Sequence, residues 1–386
     1  MPKKIYTPSQ LQAIAQDFET LRSRVLKEVH SPEGQQADQD YIEQVMQVTK
    51  ITRILGRSLI YGAWDPLSYH LGISLLTIHK LLNFFHGHNI LHKQYDRLRH
   101  PKIHSATFKF NCPIDESIFA NEHNFFHHPH SGIIGKDTAV APFGMRLFAQ
   151  NKWFAHQSFQ FFYTLPVFLY TRYSLGLFYM SGLFDLMLPK NFDSARILDP
   201  RDTRKIVEEV FKSHSKAAQY MAKELVLIPM LGGIFAPKIL WGNLVSDLVA
   251  DVVTGFMLFA PDVPENKVLF QKQEPPEARG ARYVRQITSV SDFSLPRWVE
   301  LLLGHINLHT VHHVFPTVAD WRYPGLTQEV KALCGKHGID YHEIRPLQTL
   351  KSVRTRVWQN SFPDFFRVPW FGPQAEPMEI VFEGME

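Results

Sequence analysis

The first patterned stretch of the chain is an amphipathic segment near its start. Its apolar positions recur every three or four residues, at Leu11, Ile14, Phe18, Leu21 and Val25. This is the period of one helix face, and such a face more often packs on protein than on lipid. Thr7, Pro8 and Gln10 form the pattern of an N-terminal capping box before it. The pattern predicts a helix packed on the rest of the protein, followed by a polar loop over residues 31–39.

Three later segments are candidates for contact with a membrane. Residues 51–85 are largely apolar and predict two helices that meet near Pro66. Residues 153–190 are rich in aromatic side chains, which suits either a helix pair at a membrane interface or a partial span. Residues 224–260 predict a helical hairpin with a turn near Gly232. The mean hydropathy of −0.16 is nevertheless low, so any spans share the chain with a large polar part.

These segments divide the chain into three predicted parts. Residues 1–45 hold the amphipathic helix and a linker, and residues 46–345 hold the membrane candidates. Residues 346–386 contain no candidate span, so we expect a cytosolic C-terminal tail. One large domain with extensions accounts for this organisation.

The composition excludes several kinds of chemistry. Lys and Arg number 41 against 37 Asp and Glu, and the net charge of +4 gives no case for nucleic-acid binding. The two cysteines, Cys112 and Cys334, are far apart in sequence, which predicts neither a disulfide framework nor a cysteine zinc site. The histidines therefore carry the main chemical signal.

Eight of the 20 histidines fall into three tight clusters. They are His88 and His92, then His123, His127 and His128, then His309, His312 and His313. On a helix, residues at i and i+4 lie about 5.4 Å apart on one face, close enough to chelate the same ion. Adjacent residues point about 100° apart, so one member of each doublet can bind one ion and its neighbour a second. Eight imidazoles suit two ions and are too many for one tetrahedral zinc.

The identity of the metal follows from what surrounds these clusters. Imidazole suits zinc, copper, iron and nickel. The sequence has no HExxH motif and no G-x-S-x-G elbow, so the patterns typical of hydrolases are missing. Their absence favours two iron ions that activate O₂.

The clusters and their surroundings resemble the membrane-bound fatty acid desaturases, in particular the bacterial acyl-lipid or acyl-CoA branch. The hallmark of that family is three histidine boxes, and the likeness extends over "GHNILHKQYDRLRHPKIHSATF" (87–108), "NEHNFFHHPHSGIIGKD" (121–137) and residues 312–341. It covers roughly residues 50–345. The resemblance implies an all-α integral membrane bundle of about four spans, capped by a cytosolic helical domain that carries the boxes.

The resemblance also implies a reaction and its partners. The chain would introduce a double bond into a fatty acyl chain carried by CoA, carrier protein or lipid, with O₂ as co-substrate. We expect a bacterial inner membrane location with the site facing the cytoplasm. Electrons must come from outside, because the sequence has no HPGG haem motif, iron–sulfur cysteine cluster or GxGxxG motif. A ferredoxin, rubredoxin or cytochrome b5-like donor is implied, with Arg99, Lys102, Lys136 and Arg146 as candidate docking residues.

The sequence departs from the family pattern at several positions. His309 stands where that branch commonly has glutamine and His305 where it has asparagine, so His305 is a candidate extra ligand, a hydrogen-bond donor behind the ligands, or a structural residue. Asp247 and Asp251 lie one turn apart in the predicted hairpin. Two carboxylates in a span are costly without a partner, which makes them candidates to bind metal or water or to accept a hydrogen bond from a ligand histidine.

Other functions remain open at this level. A related diiron alkyl hydroxylase or a decarboxylase that forms terminal alkenes would use the same boxes. A dinuclear metal hydrolase is disfavoured by the number of histidines, and a metal-free membrane scaffold by the presence of all eight.

Overall fold

The computed structural model of the protein describes residues 3–189, 192, 195–199, 201–263, 267–271, 277–364 and 378–383, and it is mostly helical. The α-helices are α1 (Pro8–Val29), α2 (Pro32–Gly62), α3 (Pro66–Leu91), α4 (Glu116–Asn121), α5 (Gln160–Leu169), α6 (Thr171–Ser174), α7 (Thr203–Met221), α8 (Ile228–Met230), α9 (Ala236–Asp262), α10 (Arg279–Thr288), α11 (Arg297–Leu302), α12 (His309–Val314), α13 (Tyr323–His337) and α14 (Pro346–Gln359). The strands are β1 (Lys3–Tyr6), β2 (Asp292–Phe293), β3 (Glu343–Ile344) and β4 (Glu379–Phe382). They form two parallel pairs, β1 with β4 and β2 with β3.

Helix α1 confirms the prediction made from its apolar stripe. All five stripe residues are buried, none more than 7% exposed, and they pack in one core with side chains of α10, α12 and α13. Phe18 stacks on Tyr283 with ring centroids 4.7 Å apart. The capping box forms as well, since the Thr7 backbone N–H donates to Gln10 Oε1 at 2.8 Å.

The polar segment after α1 is not a loop, so that prediction was wrong. Ser31 caps α2, accepting a hydrogen bond from the Gly34 N–H at 3.0 Å, and Pro32 occupies the first turn. Serine at the N-cap followed by proline at the first helical position is typical of the start of a helix. The polar residues that follow face solvent, apart from Asp38, which is buried and accepts hydrogen bonds from Trp321 and Arg322.

Helices α2 and α3 form a tight antiparallel hairpin that meets at Pro66, as predicted. The backbones touch at two glycines: a Cβ on Gly56 would lie 2.8 Å from Leu76 N, and one on Gly72 would lie 2.9 Å from Ile60 N. Small residues at this crossing allow the close approach.

The second predicted hairpin is also present. A π-helical segment, Ala222–Leu227, continues α7 into α8, and the chain turns before α9. The tips of the two hairpins meet, since the rings of Trp64 and Phe235 lie 6.3 Å apart, edge to face. Among the described residues, one helical stretch, Gly233–Asp262, which consists of a short turn and α9, is long and apolar enough to cross a membrane.

The remaining elements pack around these hairpins. The aromatic segment forms α5 and α6, which pack on α9, and α14 packs on both α5 and α9. One apolar core surrounds α3 and α9, and a second joins α1, α10, α12 and α13. The C-terminal ends of α3 and α9 meet α12 where the two cores adjoin. This junction positions the candidate site.

Candidate metal centre

The first histidine box lies at the C-terminal end of α3. Asp65 caps the start of that helix and Pro66 fills its first turn, so the helix runs unbroken to Leu91. His88 is in its last turn and His92 is its C-cap residue. Their Nε2 atoms lie 3.2 Å apart, as the i, i+4 spacing predicted.

The second box is built on a π-helix rather than an α-helix. Helix α4 passes into a π-helical segment, Glu122–His127, in which the His128 N–H donates to the His123 carbonyl five residues back. This wider turn brings His123 and His128 together, with their Nε2 atoms 3.2 Å apart. His127 is left facing the other way, toward α9 and α12.

The third box is the short helix α12. His309 and His313 lie one turn apart with their Nε2 atoms separated by 3.1 Å. His312 points instead to the first box, and its ring centroid is 4.6 Å from that of His92.

The eight histidines and one aspartate assemble into two adjacent groups of candidate ligands. The first group is His88, His92, His123, His128 and His312, and the second is His127, His309, His313 and Asp262. All nine residues are buried, and within each group the ligand atoms lie within 4.8 Å of one another. Each histidine doublet is divided between the groups, as the splay of adjacent residues predicted.

The donor atoms fit a pair of metal ions. His88 Nε2 lies 2.7 Å from His123 Nε2, so two like nitrogens face each other in a buried space. His312 Nε2, His127 Nε2 and Asp262 Oδ1 are buried and have no hydrogen-bond partner among the described residues. Buried polar atoms without partners are costly. A cation in each group would satisfy them, with five imidazoles in one group and three imidazoles and a carboxylate in the other.

A further layer of side chains orients the ring nitrogens. His127 Nδ1 lies 2.9 Å from Asp137 Oδ1, and His313 Nδ1 lies 3.0 Å from Gln286 Oε1. In the same way His88 Nδ1 lies 3.2 Å from Asn89 Oδ1. When Nδ1–H donates to such an acceptor, the lone pair on Nε2 is directed into the group, which is the arrangement typical of metal-binding histidines.

Carboxylates concentrate negative charge around the second group. Burial alone would lower the pKa of His127, but Asp262, Asp137 and Glu122 outweigh it and raise that pKa to about 9. Burial raises the pKa of Glu122 to about 7, although His127 opposes the shift. A divalent cation in this group would therefore replace a proton on His127 and meet compensating negative charge.

Asp262 is a candidate ligand that the sequence pattern did not predict. It follows Pro261 at the end of α9, where the sequence turns polar, and it has the same character as that polar stretch. Its Oδ1 and Oδ2 atoms lie 3.7 Å from His127 Nε2 and 3.6 Å from His309 Nε2. The available signal was an acidic residue at the end of a long apolar helix, where a span would deliver it to the boxes.

Asp247 and Asp251 lie outside both groups, so the expectation that they bind metal needs correction. Arg172 Nε donates to Asp251 Oδ1 at 2.8 Å, and Arg172 Nη2 donates to Asp247 Oδ1 at 2.9 Å. Lys80 and Tyr220 also contact Asp247 Oδ1, at 2.9 and 2.7 Å. The two carboxylates meet buried cations from other helices, not a ligand histidine.

His305 also lies outside both groups, which argues against its role as an extra ligand. It adopts a left-handed backbone conformation (φ +54°), and its Nδ1 lies 3.2 Å from Asp320 Oδ2. Asp320 also accepts hydrogen bonds from the hydroxyls of Tyr41 and Tyr95. Burial alone would raise the pKa of Asp320, but the hydrogen bond from His305 and the neighbouring groups hold it well below its usual range.

One of the four residues expected to dock an electron donor is inaccessible. Arg146 is 1% exposed, and its guanidinium donates to the carbonyls of Asn151 and Ala149 and to Asp364. It therefore acts as a structural residue. Arg99 and Lys102 are exposed.

Comparison with known proteins agrees with this geometry. A family model described as fatty acid desaturase matches residues 65–345. An NADPH-dependent stearoyl-CoA 9-desaturase of Mycobacterium tuberculosis is 23% identical over 341 residues, which cover 87% of this chain and 76% of the relative. An sn-1 linoleoyl-lipid 6-desaturase of Synechocystis is 24% identical over 266 residues, covering 66% of this chain and 69% of the relative. The family model spans most of the chain and all three boxes, and the chain belongs to the fatty acid desaturase family.

Proposed function

We propose that this protein is an integral membrane enzyme that introduces a double bond into a fatty acyl chain, using O₂ and two iron ions held by the two ligand groups. The observation that carries the proposal is the convergence of eight buried histidines and Asp262 into two adjacent groups. The same number of imidazoles disfavours a dinuclear metal hydrolase.

The chemistry of the substrate explains why such a centre is needed. Alkyl C–H bonds resist acids, bases and nucleophiles, so their oxidation depends on a cofactor. A pair of reduced iron ions, when bound, supplies the O₂ activation that this oxidation requires. The protein holds the ligands in place, because Asp137, Gln286 and Asn89 fix the orientation of three imidazoles.

The surroundings of the first group favour a dry reaction space. The ring of Phe119 lies 5.1 Å from that of His123 and 5.7 Å from that of His88. Phe84 and Phe110 extend this aromatic wall, and both are buried. Apolar walls of this kind exclude water, which strengthens the interactions inside the site.

The substrate class is inferred from the relatives. The names of the two bacterial relatives specify acyl chains carried by CoA and by lipid. We therefore propose a long-chain acyl group on CoA, carrier protein or lipid as the substrate. We also propose the bacterial inner membrane as the location, with the metal centre on the cytoplasmic side.

Exposed apolar side chains on the two hairpins support a membrane bundle of about four spans. The following are all more than 40% exposed: Val48, Ile51, Ile54, Leu55, Leu67, Leu71, Val226, Leu227, Met230, Leu231, Trp241, Leu244, Val249 and Val252. Exposed apolar side chains in this number on two packed hairpins are typical of contact with lipid. The proposed spans are residues 46–62, 66–91, 217–231 and 236–262, with both tips on the side away from the histidines.

The test is product analysis with a labelled substrate. Protein purified with the metal it acquires during expression, in lipid nanodiscs, would receive stearoyl-CoA with a fully deuterated chain, O₂ and photoreduced deazaflavin. We expect a monounsaturated chain that has lost two deuterium atoms, and about two iron ions per chain by mass spectrometry. A hydroxylated chain, a shorter terminal alkene, or zinc in place of iron would each overturn the proposal. A parallel reaction would supply lipid-linked linoleate in place of stearoyl-CoA.

A further inference from the structure

A cavity of about 540 Å³ leads from the surface to the candidate ligands. We call it the basic cavity. Its floor includes His92 and His128 of the first group and His313 of the second. Its walls come from α1, α10, the π-helical segment Glu122–His127 and the residues that follow α3 and α12. This cavity therefore reaches residues of both ligand groups.

The charge of this cavity is strongly biased. Within the part of the chain that the structure describes, it is lined by four cations, Arg22, Lys93, Arg279 and Arg282, and by one carboxylate, Glu19. Glu19 is already engaged, since it lies 3.7 Å from Arg279 Nη1 and accepts from the Tyr283 hydroxyl at 3.0 Å. Among the described residues, no carboxylate lies within ion-pair distance of the other three cations.

An exposed aromatic ring completes the surface. Phe125 lines the basic cavity and is 64% exposed. It lies two residues after His123 in the π-helical segment, whose other residues include the ligand His127. A basic rim around an apolar side chain is complementary to a protein that carries acidic residues around an apolar contact.

We propose that the basic cavity is the docking surface of an acidic one-electron carrier protein, which reduces the centre through the edges of His92, His128 and His313. The inference rests on the proposed function. Desaturation balances as R–CH₂–CH₂–R′ + O₂ + 2 e⁻ + 2 H⁺ → R–CH=CH–R′ + 2 H₂O, so each turnover takes two electrons from outside the chain. A carrier docked here would bring its redox group to the ligands themselves.

The shape and lining of the cavity favour a carrier protein over the acyl substrate. An alkyl chain needs apolar walls, whereas most of the described residues that line this cavity have polar or charged side chains. The ligand histidines and Gln286 close its floor. Electron transfer needs only a close approach to those imidazoles and no passage beyond them.

Charge reversal on the rim tests the proposal. The variant K93E/R282E changes two exposed cations of the basic cavity, and K27E/K351E makes the same charge change at exposed positions that do not line it. Iron-loaded proteins would be reduced in a stopped-flow instrument by a reduced plant-type [2Fe–2S] ferredoxin. We expect the bimolecular rate at low salt to fall about tenfold or more in K93E/R282E and to change less than about twofold in the control. The difference should shrink in high salt.

Two further measurements separate the possible outcomes. Photoreduced deazaflavin, an uncharged reductant, should reduce all variants equally, which shows that the metal sites are intact. Ferredoxin binding to metal-free protein should weaken in K93E/R282E, and the milder R282Q should show part of the loss if the double variant does not fold. An unchanged rate of reduction by ferredoxin in K93E/R282E would overturn the proposal. If that unchanged rate came with a raised KM for stearoyl-CoA, the cavity would bind the substrate and not the carrier. The proposed function fails separately if deazaflavin-reduced protein forms no alkene.

Discussion

Asp137 offers a sharp test of how the second ligand group is held. Its Oδ1 lies 2.9 Å from His127 Nδ1 and accepts from the Ala139 N–H at 2.9 Å, and its Oδ2 accepts from the Gly132 N–H at 2.7 Å. Asp137 caps the short helical turn Thr138–Val140. The D137N variant keeps one side-chain carbonyl oxygen, and asparagine remains a good helix cap. The variant loses the negative charge and one acceptor, in a position where Asp137 is fully buried.

The expected magnitude follows from that contact. Loss of a partner that orients a ligand histidine typically costs 10- to 100-fold in metal affinity, which is about 1.4 to 2.7 kcal/mol. Removing the carboxylate also lowers the pKa of His127 from its value of about 9, so less proton competes with the metal at pH 7. The two effects oppose each other at neutral pH. The full loss of metal affinity should therefore appear near pH 9.5, where His127 is mostly unprotonated in both proteins.

The assay is iron content after equilibration with graded concentrations of a chelator. We expect D137N to lose one of two iron ions at a lower chelator concentration than the unmodified protein, with the other ion unaffected. D115N is the matched control, because Asp115 also caps a helix, accepting from the Ser117 and Ile118 N–H groups, without contact to a ligand. Equal retention of both ions in D137N, or equal loss in D115N, would refute the reasoning.

Three other predictions follow from contacts around the site. R172M should lower the free energy of unfolding by about 3 to 5 kcal/mol in detergent, because it leaves Asp251 as an uncompensated buried charge. R172M/D251N should recover part of that loss, and no recovery would contradict the role of the ion pair. G56A should cost about 1 to 3 kcal/mol by thermal unfolding, because its Cβ would meet the backbone of α3. G62A is the control with open space around its Cβ, and equal effects would argue against the helix contact. H305N should keep two iron ions per chain, because asparagine tolerates the left-handed backbone and His305 lies outside both groups. Loss of one ion by metal analysis would restore His305 as a ligand.

The histidine boxes show how far local spacing determines a site. The i, i+4 pairs His88 with His92 and His309 with His313 follow directly from helical periodicity. The second box does not, because His123 and His128 meet through a π-turn that the sequence pattern does not distinguish from an α-turn. Periodicity therefore predicted that the doublets divide between two ions, but not which residues join which group.

Long-range partners could not be predicted in the same way. Asp247 and Asp251 were ligand candidates because the sequence shows two carboxylates in an apolar helix without showing what faces them. Their partner Arg172 lies 75 and 79 residues earlier in the chain. Asp262 was missed for the complementary reason: its place at the end of an apolar helix points to the boxes only when that helix is read as a span that ends on their side.

The ion pairs inside the bundle and the metal centre at its end are parts of one arrangement. Lys80 on α3 contacts Asp247 on α9 at 2.9 Å, in a buried environment. His88 lies eight residues further along α3, about 12 Å at 1.5 Å per residue, and Asp262 lies further along α9 in the same direction. A slip of one helical turn, about 5.4 Å, would break the buried ion pair and carry Asp262 away from His127 and His309. We infer that these charges fix the register of the two helices. Their value lies less in net stability, which buried ion pairs seldom supply, than in excluding alternative alignments in which the ligands from α3 and α9 would not meet.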